Sequence, residues 1–386
     1  MSPEISVVLC TYNRAAMLGG ALASLLALDA DSPPHEIIVV DNNSPDHTRE
    51  VVEQFMAQSG GRMRYVFEAT QGLSHARNRG IAEARAPLLA FTDDDVRAAP
   101  DWLKAIARAF AEHPEVELVG GRVYPIWPSP PPAWLTRENW GPLALYDRGP
   151  DGELLVGDPF ACIVGANMAF RREVFDRIGG FDPRHQHRRG SVSAVEDHEL
   201  QLRMYETGGK AWYEPSAVIH AEVQPNRLTR AYHRKWHLDH GRATSRMLPA
   251  GHVFDRAGFP QPAPGARRLL GAPLYYYRDG LMAAARTIAS AVRLRFGRTF
   301  FWANEVREAL GGIYQHALDS WHGVDVAGSG PAPRIAAAHG EREVALATSI
   351  EQGARGRTLP RGSANGGSAG VRDGQARAVQ PAGTLP

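Results

Sequence analysis

Three consecutive carboxylates, Asp93, Asp94 and Asp95, follow an apolar run over residues 88–91. Such a cluster of like charges needs a counter-ion. Carboxylate oxygens are the ligands that Mg²⁺ and Mn²⁺ prefer, and these ions keep coordination positions open for the phosphates of a substrate. The cluster therefore predicts a divalent cation site that holds a diphosphate. A helix cap is the alternative, because residues 100–110 have a helical pattern and carboxylates also stabilise helix N-termini.

Apolar runs of strand length alternate with helical patterns before this cluster. The predicted strands cover residues 5–10, 36–41, 64–67 and 88–95, and the predicted helices cover residues 15–28, 48–58 and 74–84. This alternation is typical of a mostly parallel, doubly wound α/β sheet flanked by helices. The carboxyl ends of parallel strands meet at one edge, so Thr11, Asp41 and the cluster Asp93–Asp95 are expected to converge there.

A second pair of carboxylates, Glu196 and Asp197, opens a predicted helix in which Leu200, Leu202 and Met204 are apolar. The N-terminus of a helix stabilises negative charge, so a carboxylate there is held in place in its ionised form. Such a group can act as a general base. Simple capping of the helix explains the same two residues, and the pattern alone leaves both interpretations open.

The overall composition is balanced. The chain has 386 residues, a net charge of +1, 44% hydrophobic residues and 22% charged residues, which permits a large core and shows no bias toward nucleic acid. Cys10 and Cys162 form neither a disulfide framework nor a cysteine-rich zinc site, as in a protein of the reducing cytosol. No secretory signal is predicted, and the longest apolar candidate, residues 280–292, is too short to span a membrane and contains Arg286. We therefore expect a cytoplasmic protein.

Three regions are predicted along the chain. Residues 1–249 form the α/β domain, with a proline-rich loop or cover over residues 125–134. Residues 250–321 form a helical extension, in which the stretch 266–317 has eight arginines against three acidic residues. Residues 322–386 are rich in Gly, Ala, Ser, Pro and Arg without periodicity, so a disordered tail is predicted.

Six segments occur in an order that is specific as a set. They read SVVLCTYNR, IIVVDNNSPDHT, GLSHARNRGI, FTDDD, GANMAFRREVFDRIGGFD and EDHELQLRMYETG. Together they resemble the family 2 inverting glycosyltransferases with the GT-A fold, over roughly residues 5–246. The resemblance implies a nucleotide-sugar donor, most often a UDP-sugar, and a Mn²⁺ or Mg²⁺ ion. It also implies an acceptor hydroxyl on a glycan, a glycolipid or another cell-envelope or secondary-metabolite acceptor.

The resemblance assigns roles to three residues at the nucleotide side. Thr11 matches a position that touches the nucleotide, and Asp41 matches a carboxylate that hydrogen-bonds the base. Arg77 matches an arginine near the base or the diphosphate. Alternatives remain from the residues themselves, since the Asp-Asn-Asn-Ser sequence at Asp41 favours a turn and Arg77 could be a solvated helix arginine.

The Asp-x-Asp motif of the family matches the carboxylate cluster. Asp93 would meet the ribose, Asp95 would bind the metal together with Asp93, and Asp94 is the free middle position. His220 lies where several family members supply a histidine ligand. A histidine at a strand end is also a common structural hydrogen-bond donor, so this alternative stays open.

At the acceptor side, the resemblance makes Asp197 the general base and Glu196 its neighbour toward the acceptor. The general base takes the proton of the acceptor hydroxyl. The hydroxyl oxygen attacks the anomeric carbon of the donor sugar from the face opposite the departing diphosphate. Gly165, Asn167 and Asp182 match the wall around the donor sugar and the acceptor. A tight turn after a strand is an equally compatible interpretation of these three residues.

The helical stretch 266–317 departs from a minimal transferase, because arginines and aromatic residues occur together in it. These residues suit an anionic membrane surface, so peripheral contact with the inner face of the cell membrane and a lipid-linked acceptor are predicted. A packed appendage or a dimer interface would explain them too. Two other functional classes remain: a sugar nucleotidyltransferase, whose Gly-rich phosphate loop is absent after the first strand, and a non-catalytic nucleotide-sugar-binding partner.

Overall fold

A nine-stranded mixed sheet forms the centre of the protein. The computed structural model describes residues 2–155, 162–186, 190–247, 252–254, 260–263 and 265–323. The strands of the sheet are β1 (Ile5–Thr11), β2 (His35–Asp41), β3 (Met63–Phe67), β4 (Leu88–Asp93), β5 (Val96–Ala98), β6 (Leu118–Ile126), β7 (Glu153–Leu155), β8 (Met168–Arg171) and β9 (Ala211–Glu222).

Nine α-helices are present in the described residues. They are α1 (Ala15–Leu26), α2 (Thr48–Gln58), α3 (Leu73–Glu83), α4 (Trp102–Glu112), α5 (Arg172–Ile178), α6 (Glu196–Glu206), α7 (Arg230–Thr244), α8 (Leu274–Val292) and α9 (Phe296–Trp321). Two short antiparallel strand pairs follow α7 in the chain, β10 (His252–Phe254) with β11 (Pro260–Pro262) and β12 (Arg268–Leu269) with β13 (Ala272–Pro273).

The strand order is β3-β2-β1-β4-β8-β6-β9-β5, and β7 pairs with β9. The first four strands, β3, β2, β1 and β4, are mutually parallel, which confirms the predicted α/β sheet. Strand β8 is antiparallel to both β4 and β6, whereas β6 and β9 are parallel. The sheet is therefore mostly parallel, and the carboxyl ends of β1, β2 and β4 share one edge.

Strand β1 shows why these runs are mostly apolar on both faces. Ile5, Val7 and Leu9 belong to the core cluster on one face of the sheet, and Val8 and Cys10 belong to the cluster on the other face. Helices α1 and α4 supply residues to the first cluster, and α3, α5 and α6 supply residues to the second. A strand with both faces covered has no polar side, so it loses the alternation of a half-exposed strand.

The predicted helical extension corresponds to α8 and α9, and α9 packs against α7. The packing is close, because a Cβ built on Gly241 of α7 would lie 1.9 Å from the Glu308 carbonyl oxygen, and one on Gly311 of α9 would lie 2.2 Å from the Leu238 carbonyl oxygen. Only glycine permits this approach of two backbones. Among the described residues, no helix combines the length and the apolar character that crossing a bilayer requires.

Several boundaries differ from the expectations. The segment 162–175, which resembles a single apolar strand in the sequence, contains only β8, with a 3₁₀ turn at Gly165–Asn167 before it and α5 after it. The proline-rich segment 125–134 begins inside β6 and then continues without regular structure. The domain boundary at residue 249 and the tail beyond Gly323 lie outside the described residues.

Candidate active site

The carboxyl edge of the sheet brings the predicted polar residues together. In the sheet register Thr11 is opposite Asp41, and Cys10 is opposite Asp93. The Thr11 hydroxyl donates a hydrogen bond of 2.8 Å to Asp94 Oδ2, which joins the end of β1 to the end of β4. Convergence of these strand ends is what the parallel arrangement requires.

Arg14, which precedes α1, provides a positive charge for the carboxylate cluster. Its Nη1 atom lies 2.7 Å from Asp94 Oδ1 and 3.0 Å from Asp95 Oδ2. Burial raises the pKa of Asp94 to about 6, although the charge of Arg14 acts in the opposite direction. Burial also raises the pKa of Asp93. Burial thus disfavours the ionised form of these two carboxylates, and a bound cation would stabilise it.

Arg77 connects the cluster to the second carboxylate pair. It lies on α3 with a side chain that is 4% exposed, and its Nη1 donates to Glu196 Oε1 at 2.8 Å. Its Nη2 is 3.7 Å from Asp93 Oδ1. Burial and the neighbouring charge of Asp197 raise the pKa of Glu196, and Arg77 opposes that shift. Glu196 Oε2 is buried without a hydrogen-bond partner among the described residues.

Asp197 is held in a defined orientation at the start of α6. Its Oδ2 accepts a hydrogen bond of 3.0 Å from the Gly165 backbone N–H, and its Oδ1 accepts one of 2.9 Å from the His198 backbone N–H. A Cβ at Gly165 would come within 3.0 Å of Asp197 Oδ2 and 2.8 Å of Arg77 Nη2, so this position has no room for a side chain. The helix N-terminus is a favourable place for a negative charge.

One cavity of about 700 Å³ joins these groups. Its walls include Arg77, the cluster Asp93–Asp95, Gly165, Glu196 and Asp197. Another part of the wall comes from α7 through Tyr232, Trp236 and His240. A volume in this range is typical of sites for small molecules and cofactors. The cavity has carboxylates for a metal ion, cations for a diphosphate and an oriented carboxylate that can accept a proton.

The sequence profile described as Glycosyl transferase family 2 matches residues 6–179. Over this segment the chain belongs to the family 2 glycosyltransferases. The match covers β1 to α5 and includes the carboxylate cluster. It ends before Glu196 and Asp197, so the roles of these two residues depend on the geometry of the cavity.

Relatives of this glycosyltransferase act on different acceptors. It is 29% identical to the glucosyl-dolichyl phosphate glucuronosyltransferase of Haloferax volcanii over 57% of this chain and 69% of the relative. It is 38% identical to the validoxylamine A glucosyltransferase of Streptomyces hygroscopicus subsp. jinggangensis over 32% of this chain and 29% of that relative. It is also similar to the solved mannosyltransferase of Pyrobaculum calidifontis in complex with GDP-Man and Mn²⁺, with 19% identity, a TM-score of 0.48 and coverage of 92% of this chain and 82% of that one.

Two of the predicted nucleotide and sugar residues lie behind the cavity wall of the glycosyltransferase. Asp41 is buried, and its carboxylate accepts from the Ser44 N–H at 2.9 Å and the Tyr65 hydroxyl at 2.7 Å. Asn167 is 0% exposed, and its side chain bonds the Trp102 indole N–H and two backbone carbonyls. Neither residue lines the cavity. The Asn167 side chain therefore supports the wall that Gly165 presents.

Asp182 and His220 also lie away from the cavity lining. Asp182 accepts from the Arg184 backbone N–H at 2.9 Å and pairs with the Arg184 guanidinium at 2.6 Å, so it caps a short 3₁₀ turn. His220 lies in the middle of the β5–β9–β6 pairing, opposite Arg97 and Tyr124. The structure thus does not bring His220 to the carboxylates with which it was expected to bind metal.

A divalent metal ion fits the carboxylate cluster. Asp93 and Asp95 both line the cavity, and Mg²⁺ or Mn²⁺ is commonly bound by one or two carboxylates together with substrate phosphates. Two other groups of described residues could each converge on an ion, namely Asp182 with His185 and Glu199, and His237 with Glu305 and Glu308. Neither group includes a member of the cluster, so among the described His, Cys, Asp and Glu side chains no third one converges on an ion with Asp93 and Asp95.

Sequence reasoning missed several residues of the site. Arg14 lies three residues after Thr11, and its role could have been inferred from the need of three carboxylates for a counter-ion. Gln201 is fully buried and clamps the Gly165 loop to α6, because its side chain bonds both the N–H and the carbonyl of Ile163. His240 stacks on Trp236 with ring centroids 4.3 Å apart. The position of α7 across the cavity had no signal in the sequence.

Proposed function

We propose that this enzyme transfers a sugar, with inversion, from a nucleotide-diphosphate donor to an acceptor hydroxyl, with Asp197 as the general base. The observation that carries the proposal is that Asp197, held by two backbone N–H groups, faces the same cavity as the Asp93–Asp95 cluster. One end of the cavity can hold a diphosphate while the other accepts a proton. Transfer with inversion needs these two functions on opposite sides of the sugar.

The donor is proposed to be a UDP-sugar, with its diphosphate near the carboxylate cluster and Arg14. Thr11 and Arg77 both line the cavity and would contact the nucleotide. Asp41 would bind the base through lone pairs that remain, because a carboxylate has about four acceptor sites and Asp41 uses one for Ser44 and one for Tyr65. This assignment requires the base of the nucleotide to enter between β2 and the cavity lining.

Asp95 and Asp93 are proposed to hold the metal ion, either Mn²⁺ or Mg²⁺. When bound, such an ion neutralises charge on the departing diphosphate. Arg14 already contacts Asp95, so its guanidinium would share the carboxylate with the ion or turn toward the phosphates. Glu196 is proposed to keep Asp197 in place, because its own position is fixed by Arg77, which also approaches Asp93.

A lipid-linked acceptor is proposed, because α8 presents an apolar face to solvent. Leu281, Ile288 and Val292 are 72%, 67% and 78% exposed and lie on one side of the helix. Leu294 and Phe296, which follow, are each 72% exposed. Exposed apolar residues of this number are rare on a monomer without a partner surface. The relative from Haloferax volcanii is named for an acceptor that contains dolichyl phosphate.

An anionic bilayer is the proposed partner of this face. Arg278 and Arg286 are exposed on α8 and the exposed Arg293 directly follows it, whereas Asp279 is the only acidic residue of the helix. An apolar face bordered by arginines matches the interface of a membrane with anionic lipids, where the helix lies parallel to the surface.

Flotation with liposomes tests the membrane proposal. The full chain is expected to float with vesicles that contain phosphatidylglycerol and to float less with pure phosphatidylcholine. The double variant Ile288→Ser, Val292→Ser should lose most of the flotation. The matched control Phe67→Ser, Leu154→Ser changes exposed apolar residues elsewhere and should float like the wild type. Equal flotation of both double variants would contradict the assignment to α8.

Nucleotide release from a panel of UDP-, GDP- and dTDP-sugars tests the function itself. Each donor is incubated with the full chain in Mn²⁺ and in EDTA. Metal-dependent release from one donor, increased by a glycan or glycolipid acceptor, is the expected result. Tight donor binding without release under any acceptor would instead indicate a non-catalytic binding partner. Formation of a nucleotide sugar from a nucleoside triphosphate and a sugar phosphate would indicate a nucleotidyltransferase.

A further inference from the structure

A second cavity, of about 380 Å³, shares part of its wall with the first. Ser193 and Val195 line both cavities, and Val195 directly precedes Glu196 and Asp197. The other lining residues come from three parts of the chain and are Arg184, His185, Gln186, Gly190, Ser191, Lys235, Asp239, Arg242, Ala243, Arg246 and Gln315. A molecule that fills the second cavity therefore reaches the segment that begins the base helix α6.

The lining of the second cavity is strongly cationic. Among the described lining residues, Arg184, Lys235, Arg242 and Arg246 carry positive charge, and Asp239 is the one carboxylate. Cations gathered around a concave surface attract an anion more strongly than the same charges on a flat surface. Arg184 and Lys235 are paired with Asp182 and Asp239, and the remaining excess of cations favours an anionic ligand.

Arg242 has no ion pair among the described residues, and Arg246 has a single, longer one. Arg242 Nε donates to Gln315 Oε1 at 3.2 Å, and no carboxylate of the described residues lies within ion-pair distance of Arg242. Arg246 has a longer contact, 3.5 Å from Nη2 to Asp319 Oδ1. Arg242 and Arg246 are both partly buried. The guanidinium of Arg242 also lies over the Tyr314 ring, 5.2 Å from its centroid. Their planar donors suit the bidentate binding of phosphate or carboxylate oxygens.

The wall of the second cavity is held in place by hydrogen bonds. Asp239 Oδ2 accepts from the Val192 N–H at 2.9 Å and from Lys235 Nζ at 2.7 Å. Lys235 Nζ also donates to the Gly190 carbonyl at 2.7 Å. The Ser193 hydroxyl lies 3.1 Å from His240 Nδ1, which faces the first cavity. The single carboxylate of the lining is thereby occupied, which leaves the arginines to determine the ligand.

We propose that the second cavity binds an anionic group of the acceptor, a phosphate or a carboxylate, while the acceptor hydroxyl lies beside Asp197 in the first cavity. This inference rests on the proposed transferase function and names the acceptor class of that same site. The shared Ser193 and Val195 provide the continuous wall along which one molecule reaches both cavities. An acceptor with a phosphate a few bonds from its reactive hydroxyl matches this arrangement.

The probe for this subsite is hexyl phosphate, titrated by calorimetry into the full chain after saturation with UDP and Mn²⁺. UDP binding by the wild type is measured first, because its absence would overturn the proposed function and not the subsite alone. With UDP bound, we expect hexyl phosphate to bind at least tenfold more tightly than the neutral hexyl glucoside. Inorganic phosphate is titrated in parallel. Binding as tight as that of hexyl phosphate would indicate a free phosphate ligand, and weaker binding would indicate a phosphate that belongs to a larger acceptor.

Two variants assign the binding to the arginines. Arg242→Gln and Arg246→Gln should each weaken hexyl phosphate binding at least fivefold, and Arg242→Lys should restore part of it. Arg293→Gln removes an equal charge from an exposed residue outside both cavities and should leave binding within twofold of the wild type. Thermal melting checks that each variant is folded. If hexyl phosphate binds only when UDP is absent, the anion site belongs to the donor diphosphate and the acceptor assignment is wrong. An equal loss of hexyl phosphate affinity in Arg293→Gln would also overturn the acceptor assignment.

Discussion

Arg77 and Glu196 are 119 residues apart in the chain, yet Arg77 Nη1 donates to Glu196 Oε1 at 2.8 Å in the buried floor of the cavity. The same guanidinium approaches Asp93 at 3.7 Å. One side chain thus ties the carboxylate cluster at the end of β4 to the first turn of α6. The relative position of the Asp93–Asp95 cluster and Asp197 depends on this contact.

Removal of the Arg77 guanidinium should lower the free energy of unfolding. Arg77→Gln leaves the buried Glu196 without its charge partner, and loss of one member of a buried pair typically costs about 3–5 kcal/mol. Urea denaturation of the variant checks the free energy of unfolding. Arg79→Gln is the control, because Arg79 lies on the same helix in a partly exposed pair with Glu83 and should change stability by less than about 1 kcal/mol. Equal effects of the two variants would contradict the special role of Arg77.

Asp197→Asn should abolish transfer and preserve donor binding. The amide keeps the size of the side chain and can still accept from Gly165, but it cannot take the acceptor proton, so kcat is expected to fall by about 10²–10⁴-fold. Nucleotide affinity by calorimetry should stay within a few fold of the wild type. Glu199→Gln, on the same first turn and paired with Arg203, is the control and should retain most of the rate. Wild-type turnover by Asp197→Asn would refute its assignment as the base.

Asp95→Asn should weaken the dependence of donor binding on metal. UDP affinity is measured with Mn²⁺ and with EDTA, and the ratio of the two affinities should fall at least tenfold in the variant, because one hard anionic ligand is lost. Asp101→Asn removes a carboxylate from the exposed N-cap of α4 and should leave the ratio unchanged. An unaltered ratio in Asp95→Asn would exclude Asp95 from the ligand set.

His233 should make the protein sensitive to acid. It is 0% exposed, with Trp134 4.9 Å and Phe300 6.1 Å away between ring centroids. Burial and the nearby His237 lower the pKa of His233 from 6.5 to about 4. A lowered pKa means that the folded state favours the neutral ring. The contribution of neutral His233 to the free energy of unfolding is therefore fully present above pH 6.5 and is lost as the pH falls from 6.5 toward 4.

The variant His233→Phe isolates this effect. The stability of the wild type relative to the variant should fall by about 1–3 kcal/mol between pH 7 and pH 4.5, on the basis of about 1.4 kcal/mol for each pKa unit. Denaturation curves at several pH values measure this difference. A difference that stays constant over the range would show that His233 does not titrate in a buried site. The pH-dependent contributions of all other titrating groups cancel in this difference, because both proteins contain those groups.

The first half of the sheet was predictable because each of its strands carries its own signal. The runs ending at Thr11, Asp41 and Asp93 are apolar on both faces, and their neighbours have helical periodicity, so strand identity and edge location follow from local pattern. The roles of Asp41, Asn167, Asp182 and His220 depended on where each side chain points. Burial and competing hydrogen bonds decide that direction, and the linear pattern contains neither.

The amino-acid sequence by itself determined the α/β class, the carboxylate cluster at the edge of the sheet and the carboxylates that open α6. These features arise from contacts between residues close in the chain, or from strand ends that a parallel sheet must bring together. Only the tertiary structure decided that Arg14 neutralises Asp94 and Asp95, that Arg77 reaches Glu196 and that α7 closes the cavity with Trp236 and His240. Each of these is a contact over long sequence separation, where packing of whole elements selects one partner among many of equal charge.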